Sequence, residues 1–147
     1  MNDIKKQIDP RMHSAEHLLN QTMNRMFGCG RCFSSHIEKK KSKCDYHFGR
    51  MLTNEEITEV EKTVNQAITA NLSVTEEFLT RDEAADLFDL SRLPDDSGEL
   101  LRIIRIGDYD LCPCIGLHVK FSGEIGRFVI TSISFEDNVL RVRFKLS

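Results

Sequence analysis

Asp110-Leu111-Cys112-Pro113-Cys114-Ile115-Gly116-Leu117-His118-Val119 sets a thiol and an imidazole four residues apart, at Cys114 and His118, with Gly116 between them so that the backbone can turn tightly. Far upstream, Pro10-Arg11-Met12-His13-Ser14-Ala15-Glu16-His17-Leu18-Leu19 repeats that spacing with His13 and His17. On a helix, residues i and i+4 share a face, so both imidazoles reach one ion. Two such pairs supply four nitrogen and sulfur donors, the set that zinc takes. His13, His17, Cys114 and His118 are therefore the candidate ligands of one Zn2+, held between the N-terminal helix and a C-terminal loop. The rest of the chain reads as a scaffold that brings these distant segments together.

Working outward, Asp9-Pro10 opens the first helix, with Asp9 as cap and proline at the first helical position. The helix is expected to run to Phe27 and stop at Gly28. Leu18, Leu19, Thr22, Met23, Met26 and Phe27 form its apolar side; His13, His17, Asn20, Gln21 and Asn24 form a polar stripe. Strands follow over residues 33–38 and 43–48, with Lys39, Lys40 and Lys41 at the hairpin tip. Thr53 and Glu56 make a capping box for a second helix bearing Ile57, Val60, Val64, Ala67, Ile68 and Leu72 at helical spacing. A strand through 72–75 and 78–79 comes next. Thr80 and Glu83 cap a short helix ending near Phe88, and 93–98 is a turn-rich loop. Residues 101–106 form a strand leading into the Cys/His segment, and 128–135 pairs with 139–144 as a closing hairpin. Without a regular βαβ alternation, the fold class is α+β, a mostly antiparallel sheet packed with two main helices.

At 147 residues, a length that buries roughly two thirds of the unfolded surface, residues 1–147 are expected to form a single domain. With 40% apolar and 29% charged residues the composition excludes disorder, and no apolar run is long enough to cross a membrane. Residues 1–7 lack the apolar segment of a leader peptide. Five cysteines, an odd number kept in company with histidines, favour a reducing cytoplasm. The net charge of −3 excludes bulk electrostatic grip on nucleic acid, so a polyanionic partner has to meet a local patch. Lys39, Lys40, Lys41 and Lys43 are that patch, with Arg31 and Arg50 as candidate neighbours.

Three arrangements of the donors compete. The first is the His13/His17/Cys114/His118 zinc. The second uses the other thiols: Cys29 and Cys32 have CxxC spacing and Cys112 and Cys114 add CxC, enough for a structural knuckle or, with Cys29 and Cys32 alone, a redox pair. The third takes His13-Ser14-Ala15-Glu16-His17 as H-x-x-E-H, an inverted zinc-peptidase signature with Glu16 as base, which leaves Cys114 and His118 without a purpose.

The two motifs in this order, His13-x-x-x-His17-Leu18-Leu19 and Cys114-x-x-x-His118-Val119, resemble the editing domain of alanyl-tRNA synthetases. The same domain occurs in freestanding alanyl-tRNA editing proteins and, as a related second additional domain, in threonyl-tRNA synthetases. Similarity continues through Leu52-Thr53-Asn54-Glu55-Glu56-Ile57, Asn71-Leu72-Ser73-Val74, Asp82-Glu83-Ala84, Arg105-Ile106-Gly107-Asp108-Tyr109-Asp110 and Ser122-Gly123-Glu124-Ile125-Gly126. The resemblance implies zinc-dependent hydrolysis of the ester in a mischarged aminoacyl-tRNA, of the seryl- or glycyl-tRNA(Ala) type, with no catalytic group identified beyond a zinc-bound water. A zinc-binding module on the same fold that binds tRNA or small acyl compounds is the alternative. The longer members' aminoacylation domain has no counterpart in these residues, so ATP is not expected.

The sequence also departs from that family. Where the family segment reads Cys-Gly-Gly-Thr-His, Ile115 replaces the first glycine and Leu117 the threonine. Where it carries glutamine before Gly-Ser, Cys32-Phe33-Ser34-Ser35 stands here. Ser35, Ile115 and Leu117 are thus the candidate substrate-pocket residues, with the donors kept and the lining changed.

Overall fold

The computed structural model describes residues 9–88 and 100–147. Helix α1, Pro10–Phe27, begins where Asp9 accepts from the Arg11 and Met12 amides and ends at Gly28, whose φ of 65° is the left-handed stop that glycine adopts without strain. Strands β1 (Ser34–Ile37) and β2 (Ser42–His47) follow, then α2 (Asn54–Thr69) and β3 (Val74–Thr80). A one-turn α3 (Arg81–Ala85), β4 (Leu100–Ile106) and β5 (Asp110–Pro113) come next. A 3-10 turn at Ser122–Ile125 precedes β6 (Phe128–Glu136) and β7 (Val139–Leu146). Both sequence-read capping boxes form, at Thr53/Glu56 and Thr80/Glu83. The turn read at 93–98 lies outside the described residues. Among the described residues no helix is long and apolar enough to cross a membrane.

The fold is α+β and every strand pair is antiparallel, but the strands form two sheets rather than one: β1-β2-β7-β6 and β3-β4-β5. The reason lies in α1. Met12, Ala15, Leu18, Leu19 and Met23 are buried on it, and so are His13, Ser14, His17, Asn20 and Thr22. The stripe read as polar is therefore an interior face over most of its length. A helix buried on so many sides needs cover from several directions, and α1 touches α2, β1 of one sheet and β5 of the other.

Of two further local readings, one holds and one is corrected. The strand read through 72–75 and 78–79 forms as β3, all seven of its residues pairing with β4 from Val74 opposite Ile106 to Thr80 opposite Leu100. Asp110–Pro113, read as part of a loop, pairs with β4 as a strand. Strand β4 is buried on both faces: Leu101 and Ile103 pack with Ala84, while Ile104 and Ile106 join the main core with α1, α2, Tyr46, Phe128, Leu140, Val142 and Phe144. The β6–β7 hairpin turns on Asp137 and Asn138 with φ of 53° and 61°, the two positive values that a type I′ turn requires.

The Cys/His segment is clamped on both sides. Upstream, β5 pairs with β4. Downstream, the Val74 amide donates to Lys120 O and the Ser122 amide to Leu72 O. The buried Ser122 hydroxyl then donates to Ala67 O (2.8 Å) and accepts from the Leu72 amide (2.7 Å), tying the segment to the end of α2. Ser122→Ala leaves the Leu72 N–H without that acceptor, and we expect a loss of about 1–3 kcal/mol in urea unfolding. An unchanged midpoint would mean that the clamp is redundant.

Candidate metal centre

One turn of α1 and the loop after β5 bring His13, His17, Cys114 and His118 together, with one donor atom from each lying within 4.8 Å of the others. His13 Nε2 is 3.4 Å from Cys114 Sγ. The His13 and His118 rings stack at 4.2 Å, and His17 meets them edge-on at 5.0 and 4.5 Å. These donors come from residues 101 positions apart in the chain.

Each imidazole is oriented by its other nitrogen. His13 Nδ1 donates to Leu117 O at 3.1 Å, and His17 Nδ1 lies 3.3 Å from Asp110 Oδ2. His118 Nδ1 lies 2.9 Å from Ser14 Oγ, which also accepts from the Val119 amide. Fixing Nδ1 leaves Nε2 for the centre, the arrangement by which ligating histidines are held. His118 Nε2 is buried with no hydrogen-bond partner. A buried nitrogen without a partner is costly, and a cation among these donors removes that cost. The residues present fit a metal ion.

Charge is arranged around the thiol. Burial alone would raise the Cys114 pKa, but the three imidazoles that face the thiol, His118, His13 and His17, bring it down to about 3. The thiolate is the form that ligates metal. Burial would likewise push the His17 imidazolium down, yet Asp110 and Cys114 outweigh it and take it up to about 9. Asp110 has a fully buried side chain and is held by Arg31 through two bonds, Nη1–Oδ1 at 2.8 Å and Nη2–Oδ2 at 3.2 Å. Against burial, which raises it, contacts with His17 and Arg31 keep the Asp110 carboxyl below its ordinary value.

Gly116 has a stricter role than easing a turn: a Cβ there would overlap the His13 ring. Arg102 holds the same loop, its Nη1 donating to Cys114 O at 3.0 Å and Gly116 O at 2.8 Å. Asp110, Ser14, Arg31 and Arg102 are the positioning residues that sequence reading missed. Asp110 and Ser14 offered a signal, since Ser14 adjoins His13 and Asp110 opens the Cys/His segment, but nothing local marks the two arginines.

The four-sulfur arrangement does not form. Cys29 Sγ faces Met23 O and Gly30 O, Cys112 Sγ faces Pro113 O, and among the described residues no four-sulfur group assembles. Ile115 is 95% exposed and Leu117 59% exposed, so neither side chain fills the core behind the turn. Ser35 is exposed on β1 opposite Cys44, on the same face of the sheet. Lys39, Lys40 and Lys41 are exposed at the hairpin tip. Lys41 and Lys43 line a groove with His36, Glu38, Ser42, Thr131 and Arg143. Arg31 and Arg50 do not line that groove: Arg31 pairs with Asp110 and Arg50, still exposed, with Glu56.

The antiparallel α+β fold thus gathers three histidines and one cysteine, His13 and His17 buried, Cys114 and His118 half-buried, between the N-terminal helix and the loop after β5. The sequence model described as Threonyl and Alanyl tRNA synthetase second additional domain matches residues 101–142, which include Cys114 and His118. Alanine–tRNA ligase of Coxiella burnetii (strain Dugway 5J108-111) is 38% identical over 134 residues, 90% of this chain and 15% of the ligase. The Fervidobacterium nodosum enzyme of the same name is 31% identical over 135 residues, covering 91% of this chain and 16% of its own length. That of Bacillus subtilis (strain 168) is 32% identical over 124 residues, 83% and 14% respectively. The chain belongs to this alanyl-tRNA synthetase editing-domain family. It spans about 15% of the length of the curated relatives it matches.

Asp110→Asn should cost about 3–5 kcal/mol at neutral pH in metal-free protein, because Arg31 is left facing a neutral group in a buried site. A carboxyl depressed on folding contributes stability that is present above its unfolded pKa of 3.8 and lost as pH falls through its folded value. The difference between wild type and variant, followed by urea unfolding, should therefore shrink as pH drops below about 4. A difference independent of pH would assign the cost to packing.

Proposed function

We propose that the chain is a trans-editing hydrolase that uses zinc to cleave the aminoacyl ester of mischarged tRNA, of the seryl- or glycyl-tRNA(Ala) type. The observation that carries this reading is the convergence of His13, His17, Cys114 and His118, each imidazole oriented from behind, in a chain related to alanine–tRNA ligases over nine tenths of its length. The sequence reading of one domain over residues 1–147 and of a cytoplasmic location belongs to the same proposal.

An aminoacyl ester is already activated, so its hydrolysis needs little beyond carbonyl polarisation and a positioned water. When bound, zinc supplies Lewis acidity towards the ester carbonyl and lowers the pKa of a water towards 7. The protein's own residues do the rest. The thiolate of Cys114 and the three imidazoles hold the ion, and Leu117 O, Asp110 and Ser14 keep the rings from turning away. Arg102 fixes the Cys114–Gly116 backbone, so the rim of the site keeps its shape. Ile115, Leu117 and Ser35 are the residues proposed to meet the amino acid. Two of them are apolar where the resembled domain has glycine and threonine, which favours small side chains that need no hydrogen-bond partner.

The test is deacylation of a panel of mischarged tRNAs, with and without a zinc chelator. We expect metal-dependent turnover, with His13→Ala/His17→Ala losing both activity and about one equivalent of zinc. Binding of tRNA without turnover by zinc-replete protein would instead assign a binding module.

The partner's phosphates are proposed to meet Lys39, Lys40, Lys41 and Lys43. Lys43 stands opposite Arg143 across β2 and β7, and both line the groove with Lys41. Neutralising the four lysines should weaken tRNA binding and flatten its salt dependence by about one in log–log slope per lost phosphate contact. An unchanged slope would leave the run as a solubilising edge.

A further inference from the structure

Glu16 lies on α1 between His13 and His17, and it faces two ways. Its Oε1 is 3.8 Å from His13 Nε2, and its Oε2 is 3.6 Å from Cys32 Sγ. Beyond Cys32, which precedes β1, lies Cys44 of β2, and the donor atoms of Glu16, Cys32 and Cys44 all fall within 4.8 Å of one another. Cys44 is fully buried and Cys32 nearly so. None of these three residues is needed by the three-histidine, one-cysteine centre.

As bare side chains they suit one another poorly. A carboxylate out of bulk water wants strong donors, and here it has a thiol, which is a weak one, at 3.6 Å and an imidazole nitrogen at 3.8 Å, beyond hydrogen-bond length. The set suits a cation much better. A tetrahedral ion with bonds of about 2.3 Å to sulfur and about 2.0 Å to oxygen places those donors about 3.5 Å apart. The Cys32–Glu16 separation of 3.6 Å is already that edge. The charges also balance. Three imidazoles and one thiolate around a divalent ion leave one positive charge, and two thiolates and one carboxylate around another leave one negative charge. The Glu16 side chain is 12% exposed, so the group borders solvent on that side.

We infer that Glu16, Cys32 and Cys44 form a second metal site, selective for a thiophilic divalent cation such as Zn2+, Co2+ or Cd2+, with the Glu16 carboxylate standing between the two centres. The site has three protein donors and one open position. It depends on these residues alone and not on occupancy of the neighbouring centre.

The experiment is an anaerobic Co2+ titration of reduced, metal-free protein, read by thiolate-to-cobalt charge-transfer absorption. Wild type should take up two equivalents, with about twofold more absorption gained at the two-thiolate site than at the one-thiolate site. Cys32→Ser/Cys44→Ser should keep only the weaker band, and His13→Ala/His17→Ala only the stronger. Glu16→Gln, which leaves both thiols in place, should loosen the second equivalent while sparing the first. Urea unfolding of each variant separates loss of a site from loss of the fold. Saturation of wild type at one equivalent, or a second equivalent that survives Cys32→Ser/Cys44→Ser, would overturn the inference. A Cys32–Cys44 disulfide in air with no second equivalent in the reduced protein would assign a redox pair instead.

Discussion

The structure depends on satisfying the polar face of a buried helix. Five polar residues of α1 are removed from water, and all five find partners outside the helix. His13 reaches Leu117 O, Ser14 meets His118 and Val119, and His17 meets Asp110. Asn20 accepts from Tyr46 and from the Cys32 amide, while Thr22 bonds within the helix to Leu18 O and across to Tyr109. Each of these bonds is modest by itself, but leaving any one of the groups unpaired in the interior is expensive. The contacts are therefore enforced together, and they fix where β2, β5 and the loop after β5 lie around the helix. The donor centre is a product of that arrangement. The same hydrogen bonds that settle α1 in the interior also set the rotation of the imidazoles.

Much of this was legible in the sequence, for reasons that can be traced to particular residues. Asp9-Pro10 and Gly28 bound α1 through chemistry local to each end, and the Thr53/Glu56 and Thr80/Glu83 boxes do the same for α2 and α3. The donor set followed from repeated four-residue spacing: helical geometry brings His13 and His17 onto one face, while Cys114 and His118 are brought together by a loop. Burial was not legible. A stripe of His, Asn and Gln looks the same whether it faces water or a second sheet, and only the three-dimensional partners decide. The split into two sheets escaped for the same reason. So did the assignments of Arg31 and Asp110, which meet across 79 residues with no local signal.

The departures at Ile115 and Leu117 take on a different meaning with the structure. Both side chains are exposed, so neither was selected by the packing that governs most apolar residues. Between them Gly116 is constrained severely by the His13 ring. The loop thus alternates a position with no tolerance and positions with wide tolerance. Variation at 115 and 117 alters the rim without disturbing the donors behind it.

The order of strands in the larger sheet has a consequence for how the protein is made. Strand β7 sits inside that sheet, between β2 and β6, although it is the last described strand in chain order. During synthesis the β1–β2 hairpin emerges early and waits with one edge of β2 unpaired. The partners on β2 and β7 lie 92 to 102 positions apart, from His47 and Val139 to Ser42 and Phe144, which corresponds to about 5–20 s at ordinary translation rates. An unpaired edge held that long invites pairing between nascent chains on neighbouring ribosomes. Lysines 39–41 and 43 lie at the tip and along that hairpin, and their mutual repulsion keeps such unfinished edges apart until β7 arrives.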